Sequence, residues 1–380
     1  MRKRVCIVTT TPFIANAFLR PHLLALKSRY DVTLAINTRD GYPLDAEVAA
    51  AAVIVHVPIE RNISLLGDIA ALWALWGLLR RGHFDLVHTV APKAGLLGML
   101  AAFAGRVRVR LHTFQGEVWA SKRGVVRALF KAADRLVASM ATHCLVVSHG
   151  EQAFLEEEGV LAPTRSTVLR DGSISGVDVQ RFHPNRVTRE EVRDELEIGG
   201  EDLLIMYVGR IARDKGVLDL AEAFAKLSSQ KNPQWLVFVG PDEDRLRGPL
   251  EEACRSVMHR VRFVPYTRSP ERYLSAADIV CLPSYREGFG LVLIEAGACG
   301  VPVLASRLYG IRDAVVEGVT GLFHEAGNIR DIVNKLSTLI SDPTLRQQMG
   351  QAGRERAETR FRTELLVAAL ADCYAAALGA

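Results

Sequence analysis

Two carboxylates stand eight residues apart in Glu287-Gly-Phe-Gly-Leu-Val-Leu-Ile-Glu295. A Gly-Phe-Gly turn follows the first, and the apolar run after it reads as a helix. That spacing puts Glu287 at the mouth of a loop and Glu295 about two helical turns further on. The N–H groups that open such a helix attract anions. Two acceptors for sugar hydroxyls beside a phosphate-sized site describe a pocket for a nucleotide-sugar. Upstream, Gly209-Arg210 and Lys215 follow the apolar run 203–208. A guanidinium and an ammonium there can stabilise charge growing on a leaving diphosphate without a metal. Glycine suits positions 288 and 290 because a close ligand leaves no room for a Cβ.

The elements that must hold these groups are short β-rich runs alternating with helical ones. The first half predicts strands over 5–10, 32–36, 53–57, 86–89, 109–113, 144–148 and 167–170. The second half predicts them over 203–208, 235–239, 261–264, 279–282, 301–305 and 322–324. This rhythm implies parallel sheets covered on both faces, hence two Rossmann-like α/β domains. In such sheets ligands bind beyond the carboxyl ends of the strands. The polar segment 171–184, punctuated by Gly172, Gly176 and Pro184, marks the boundary. The domains are therefore 1–182 and 183–361, with a last helical pattern over 364–377.

Three further stretches identify a family. Tyr207-Val-Gly-Arg210 with Lys215-Gly216, Ala277-Asp278 through Pro283-Ser284, and Val319-Thr-Gly321-Leu322 accompany the Glu-x7-Glu pattern in order. Together they resemble the signature of retaining glycosyltransferases of family 4, which have the GT-B fold of two Rossmann-like domains facing a central cleft. The resemblance implies that the 362–380 helix rejoins the first domain. It implies that Glu295 accepts ribose hydroxyls, and that Glu287 meets the donor sugar. Gly209, Phe289, Gly290, Leu291 and Val292 would line the diphosphate and sugar, and the Val264–Tyr266 loop would read the base. Arg210, Lys215 and Glu287 would carry catalysis.

The first domain departs from the family pattern. No glycine-rich turn follows its first strand, where Thr11 and Asn16 stand as substitutes. The stretches around His88, Lys93, His112 and Gln115 resemble a bacterial subgroup that builds capsule, O-antigen and related surface glycans. His112 is expected to position substrate, and His88 and Lys93 to lie on the acceptor side. Gln115 occupies the place where many members carry a second histidine. Glutamine can bond a sugar hydroxyl but cannot act as a base. The leaving phosphate can take the acceptor proton instead, so no protein base is required.

Composition narrows the partners. The chain of 380 residues is 49% hydrophobic and 24% charged, an ordinary globular balance. Six scattered cysteines suggest reduced buried thiols, and no metal site has ligand spacing. Asp242-Glu243-Asp244 reads as an acidic turn opening a helix rather than a metal motif. Met1-Arg-Lys-Arg leads straight into a strand, so no secretory signal is expected. The apolar run 69–79 is too short to span a bilayer and reads as a buried or interfacial helix. Residues 1–182 carry 22 Lys+Arg against 15 Asp+Glu, whereas 183–380 carry 25 against 28, so the basic half is the first. Its cluster at Arg106, Arg108, Arg110, Lys122, Arg123, Arg127, Lys131 and Arg135 either solvates helix faces or meets anionic lipid. Nucleic acid is not expected, because no aromatic-rich basic platform is present.

The expectation is a metal-independent, retaining hexosyl- or N-acetylhexosaminyl-transferase without a cofactor, using a nucleotide-diphosphate sugar, UDP-linked, as co-substrate. Its acceptor would be a polyprenyl-diphosphate-linked glycan at the cytoplasmic face of the cell membrane. The alternatives are small-molecule glycosylation, nucleotide-sugar epimerisation, or a non-catalytic sugar-nucleotide-binding subunit. A dehydrogenase ranks last, because the first strand lacks a Gly-x-Gly-x-x-Gly turn.

Overall fold

The β-branched runs read from the sequence form two all-parallel sheets. A computed structural model describes residues 2–227 and 233–379. The chain divides into two units by internal contact, with breaks between Ser175 and Gly176 and between Arg362 and Thr363. The first break lies inside the polar segment 171–184. The stretch from Thr363 onward belongs with the first unit.

Unit 1 contains β1 (Arg4–Val8), β2 (Asp31–Ile36), β3 (Val53–His56), β4 (Leu86–Val90), β5 (Val109–Phe114), β6 (His143–Val146) and β7 (Ser166–Val168). Their order is β3-β2-β1-β4-β5-β6-β7. Its helices are α1 (Pro12–Ile14), α2 (Arg20–Leu26), α3 (Ala46–Ala49), α4 (Leu65–Gly82), α5 (Pro92–Ala104), α6 (Gly124–Met140) and α7 (His149–Glu157). Unit 2 contains β8 (Leu203–Val208), β9 (Gln234–Val239), β10 (Val261–Val264), β11 (Ile279–Leu282), β12 (Val303–Ser306) and β13 (Gly321–His324), ordered β10-β9-β8-β11-β12-β13. Its helices are α8 (Arg186–Glu195), α9 (Val217–Lys226), α10 (Arg247–Ala253), α11 (Pro270–Ala276), α12 (Leu291–Ala298), α13 (Ile329–Ser341) and α14 (Pro343–Arg360). The last helix, α15 (Thr363–Leu378), packs on α2 in unit 1.

Strands buried on both faces explain their near-continuous Val/Ile/Leu composition. One core of unit 1 joins Leu19, Leu23 and Leu26 to Leu370 and Tyr374 of α15. The opposite face packs Ala71, Leu75 and Leu79 of α4 against Ala94, Leu97 and Ala101 of α5. The first strand ends at Val8, earlier than its apolar run suggests. Thr11 instead caps α1, its Oγ1 accepting the Ile14 N–H at 3.4 Å. Likewise β12 starts only after Pro302, whose ring nitrogen has no hydrogen to give a ladder.

Both sheets reverse strand order at one place, between β1 and β4 and between β8 and β11. Loops leaving adjacent strands diverge at such a switch point and open a crevice. In unit 2 these are the loops that carry Arg210 and Lys215 on one side and Glu287 on the other.

Candidate active site

Sheet order brings together two loops that are 72 residues apart in sequence. Lys215 Nζ donates to Glu287 Oε1 at 2.6 Å, and Ser284 Oγ donates to the same oxygen at 2.8 Å. The pair is largely sheltered, with the side chains 14% and 16% exposed. Two glycines make this approach possible. Gly216 adopts φ +65°, and a Cβ there would lie 2.0 Å from the Pro283 carbonyl oxygen. Gly310 faces the carbonyl oxygens of Glu287 and Gly288, which a Cβ would meet at 2.2 and 2.4 Å.

Arg210 is held from three directions. Its Nη1 donates to Glu243 Oε2 at 2.7 Å, Asp214 lies 3.8 Å away, and Tyr207 Oη donates to its carbonyl at 2.6 Å. Burial works against the guanidinium charge, but Glu243 and Asp214 outweigh it and hold the pKa above its ordinary value. Arg286 pairs with Asp214 at 3.2 Å, adding a further cation to the loop cluster. Three cations, Lys215, Arg210 and Arg286, thus stand at the switch point, each beside an acidic partner that an anionic ligand can displace.

Glu295 differs from all of these. It is half-buried on α12, and its carboxylate has no hydrogen-bond or ion-pair partner among the described residues. Burial pushes it up to about 7, opposed by Arg181 and reinforced by Glu271. Leu291 and Val292 open α12, whose first-turn N–H groups lack intrahelical partners. Gly290 is the left-handed cap, while the Phe289 ring is buried against Phe361 at 5.4 Å. Phe289 can therefore offer a ligand only its backbone. Gly209 follows β8, its N–H bonded to the Val239 carbonyl at 2.9 Å. At the end of β10 the Val264 carbonyl accepts the Gly240 N–H at 2.9 Å, and Tyr266 beyond it is exposed.

The acidic triplet is spoken for. Asp242 accepts the Leu246 and Arg247 N–H groups at the start of α10, Glu243 holds Arg210, and Asp244 accepts the Arg213 N–H. Among the described residues no group of three or more His, Cys, Asp or Glu is arranged to hold a metal ion.

Unit 1 gathers three buried histidines. His88 is bonded on both nitrogens, Nδ1 to Tyr374 Oη and Nε2 to Thr113 Oγ1, each at 2.7 Å. An acceptor hydroxyl finds no vacant nitrogen there. His88 instead fastens α15 to the sheet. His112 is 2% exposed, with Nδ1 2.7 Å from Thr89 Oγ1 and Nε2 unpaired. Burial lowers the pKa of both to about 3, so both rings are neutral at physiological pH. His22, bonded to the Ile174 carbonyl at 2.7 Å, is lowered to about 4 by the same cause.

The remaining first-domain candidates are mostly tied down. Lys93 reaches Asp68 at 2.5 Å and the Asn62 carbonyl, so its charge is already matched. Asn16 spends its amide on the Pro43 carbonyl and the Asp45 N–H. Thr11 is 3% exposed and serves as the α1 cap. Gln115, one residue beyond β5, is half-buried, and its side-chain amide has no partner among the described residues. Sequence reasoning did not single out Ser284, Glu243 or Gly310 as site residues. The pattern Pro283-Ser284, three residues before Glu287, was the only available signal for the first.

The geometry defines a two-unit α/β protein with a cationic, hydroxyl-accepting site at a switch point, the class of the GT-B glycosyltransferases. Residues 188–356 match the model of glycosyl transferases group 1, and residues 15–172 that of the glycosyl transferase 4-like domain. The chain belongs to the glycosyltransferase-4 family. It is 30% identical to the D-inositol 3-phosphate glycosyltransferase of Streptomyces bingchenggensis, over 92% of this chain and 81% of that one. It is 29% identical to the capsular polysaccharide biosynthesis glycosyltransferase CapM of Staphylococcus aureus, over 84% of each. It is 26% identical to the UDP-Gal:alpha-D-GlcNAc-diphosphoundecaprenol alpha-1,3-galactosyltransferase of Escherichia coli, over 87% and 86%. Among solved structures, sucrose-phosphate synthase of Thermosynechococcus elongatus shares the fold with a TM-score of 0.82, at 23% identity and full coverage of both chains. HepE of Anabaena in complex with UDP does so with 0.80, at 18% identity over 99% and 100%.

Proposed function

We propose that this glycosyltransferase moves a sugar, with retention and without a metal, from a UDP-sugar to a polyprenyl-diphosphate-linked glycan during bacterial surface-polysaccharide synthesis. The observation that carries this reading is the Lys215–Glu287 pair beside Arg210 at the switch-point crevice, with Glu295, unpaired among the described residues, on the helix that follows the Glu287 loop. In this reading Glu295 receives the ribose hydroxyls, replacing lost hydration. Arg210 and Lys215 take up the charge released when the bond from the anomeric carbon to the diphosphate oxygen breaks. The acceptor oxygen bonds to that carbon on the same face, and its proton passes to the departing phosphate. Glu287, freed from Lys215 by the diphosphate, accepts donor-sugar hydroxyls. The Staphylococcus aureus and Escherichia coli relatives, named for capsule synthesis and for a diphosphoundecaprenol acceptor, support the choice of acceptor.

The acceptor class also explains one face of unit 1. Helix α5 packs against α4 and α6, and each of those two carries a single acidic residue. Both acids turn inward, Asp68 to Lys93 and Asp134 to the Trp119 indole. Outward stand Leu65, Leu66, Ile69 and Trp73 on α4 and Val125 and Leu129 on α6. Arg106, Arg108, Lys122 and Arg123 are exposed and have no side-chain partner among the described residues. An apolar face rimmed by unmatched cations fits the anionic side of a bilayer. No helix among the described residues is long and apolar enough to cross one.

A thermal-shift panel of UDP-sugars and other nucleotide-sugars tests the donor. A cognate donor at a hundred times its Kd should stabilise the fold by about 2.7 kcal/mol. No response to any UDP-sugar, with a response to another nucleotide class, would overturn the choice of base.

A further inference from the structure

The loop that leaves β5 is held by the buried carboxyl of Glu151, against which its own Glu117 is packed. Glu151, in the first turn of α7, is fully buried, and Glu117, two residues past Gln115, is 2% exposed. One Glu151 oxygen accepts the Gly116 N–H in a short bond, and the other accepts the Val147 N–H at 3.2 Å. The two carboxyl groups are also hydrogen-bonded to each other. The pair shares the one hydrogen between them. Two buried carboxylates this close cannot both ionise, and they titrate as a unit. Gly116 itself sits at φ +90°, a left-handed conformation that its neighbours must hold.

We propose that Glu151 is a positioning residue for sugar-hydroxyl contact by Gln115: backed by Glu117, its buried carboxyl clamps Gly116 and so fixes the backbone carrying Gln115. The inference rests on the reading of Gln115 as a sugar-hydroxyl ligand. Gln115 lies at the carboxyl end of β5, where open α/β sheets bind ligands, and its amide is unpartnered among the described residues. A glycine follows Gln115 directly, so the local sequence leaves its φ and ψ free and contacts must fix them.

The surroundings keep the clamp acidic. Burial first, and then Glu117, hold the Glu151 pKa well above the ordinary carboxyl value, against the pull of the Gly116 and Val147 N–H groups. From α6, Asp134 faces Glu117 and is itself raised to about 7 by burial, despite its bond to Trp119 Nε1. Arg127 and Lys131 of α6 lie over the Trp119 ring, but their charges are matched by Glu158, the residue that caps α7. Ser148 caps α7 through the Glu151 N–H at 3.0 Å, and His149 stands on the same helix. The clamp therefore holds its shared proton above the ordinary carboxyl range and loses it as pH rises further.

The test uses the full chain with Glu151→Gln, Glu117→Gln and Gln115→Ala. UDP release is followed from UDP-hexoses and UDP-N-acetylhexosamines, and amide-exchange protection over residues 112–120, between about pH 7 and 10. Glu151→Gln turns one accepting oxygen into a donor that faces a backbone N–H. The loop should shift, lowering kcat on the order of 10²-fold while donor KM moves far less. Glu117→Gln still offers Glu151 a hydrogen but has no proton to lose. It should restore the clamp, and it should keep turnover and loop protection at alkaline pH, where the wild type declines. Wild-type kcat in Glu151→Gln, or identical alkaline limbs in Glu117→Gln and wild type, would overturn the clamp. If Glu151→Gln fails to fold, the Glu117→Gln comparison decides alone. Undiminished turnover in Gln115→Ala would sink the reading of Gln115 as a ligand, while the protection measurement still judges the clamp.

Discussion

Among the described residues Glu295 keeps its carboxyl without a partner, whereas Glu287 is already bonded to Lys215 and Ser284. Their mutants should therefore differ in kind. Glu295→Gln should weaken UDP binding by calorimetry, and Glu287→Gln should leave it nearly unchanged while slowing transfer. Equal losses of UDP affinity would refute the division. Glu295 also makes a stability prediction with a fixed sign. Its folded pKa is raised to about 7, above its ordinary 4.5. Between those values the native state holds more protons than the unfolded one, so ionising Glu295 costs stability as pH rises. Glu295→Gln should melt higher than wild type above pH 7, with the gap closing toward pH 4.5. Parallel melting curves would mean the carboxyl is not desolvated. The types and spacing of Arg210, Lys215, Glu287 and Glu295 were legible in the sequence because each sits in a local motif. Their pairings were not, since Lys215 meets Glu287 only through sheet order. His88 and Lys93 show the converse. A histidine fastening a helix and a lysine answering a half-buried aspartate have the same letters as acceptor ligands.

The loops between elements set the approach of those side chains. Strand positions could be read from β-branched runs, and the ends of β8, β10 and β11 with them, but not those of β1 and β12. The cap at Thr11 and the ring of Pro302 decide them, and neither is visible in the apolar pattern of the strand itself. Gly216 is the clearest single hinge of the site. A Cβ would strike the Pro283 backbone, and the φ of +65° already disfavours other residues. Gly216→Ala should cost about 1–3 kcal/mol and lower turnover as well, because Lys215 is the adjacent residue. Chemical denaturation and a transfer assay measure the two effects; an unaltered midpoint would show that the β8 and β11 loops can part freely. The Lys215–Glu287 bond also predicts coupling between those loops. Arg210→Ala and Lys215→Ala should each lower turnover ~10²–10³-fold. Lys215→Ala combined with Glu287→Gln should lose less than the two single losses together, since each already breaks the shared bond. Full additivity would place the two side chains in separate tasks.

The whole molecule divides its charge unevenly, and the structure sorts the basic half further. Arg110 is spent on the Met140 and Val107 carbonyls, Arg127 and Lys131 on Glu158, and Arg135 on the Gly159 and Glu158 carbonyls. Those four are structural cations, a distinction that a charge count cannot make. Arg106, Arg108, Lys122 and Arg123 remain for a partner. Glutamate at these four positions should weaken binding to vesicles containing phosphatidylglycerol by about 1 kcal/mol per side chain, and the loss should shrink as salt rises. Arg127→Glu makes a counterpart, since its main effect should be on the pairing with Glu158. The apolar stripe contributes in a different way. Leu66→Ser and Trp73→Ser should lower binding that persists at high salt, because burial of hydrocarbon is not screened. Sedimentation with vesicles at low and high salt separates the two contributions. If neither set changes binding, the α4–α6 face does not meet the bilayer. If only the charge set matters, the protein rests on the headgroups without inserting its leucines and tryptophan.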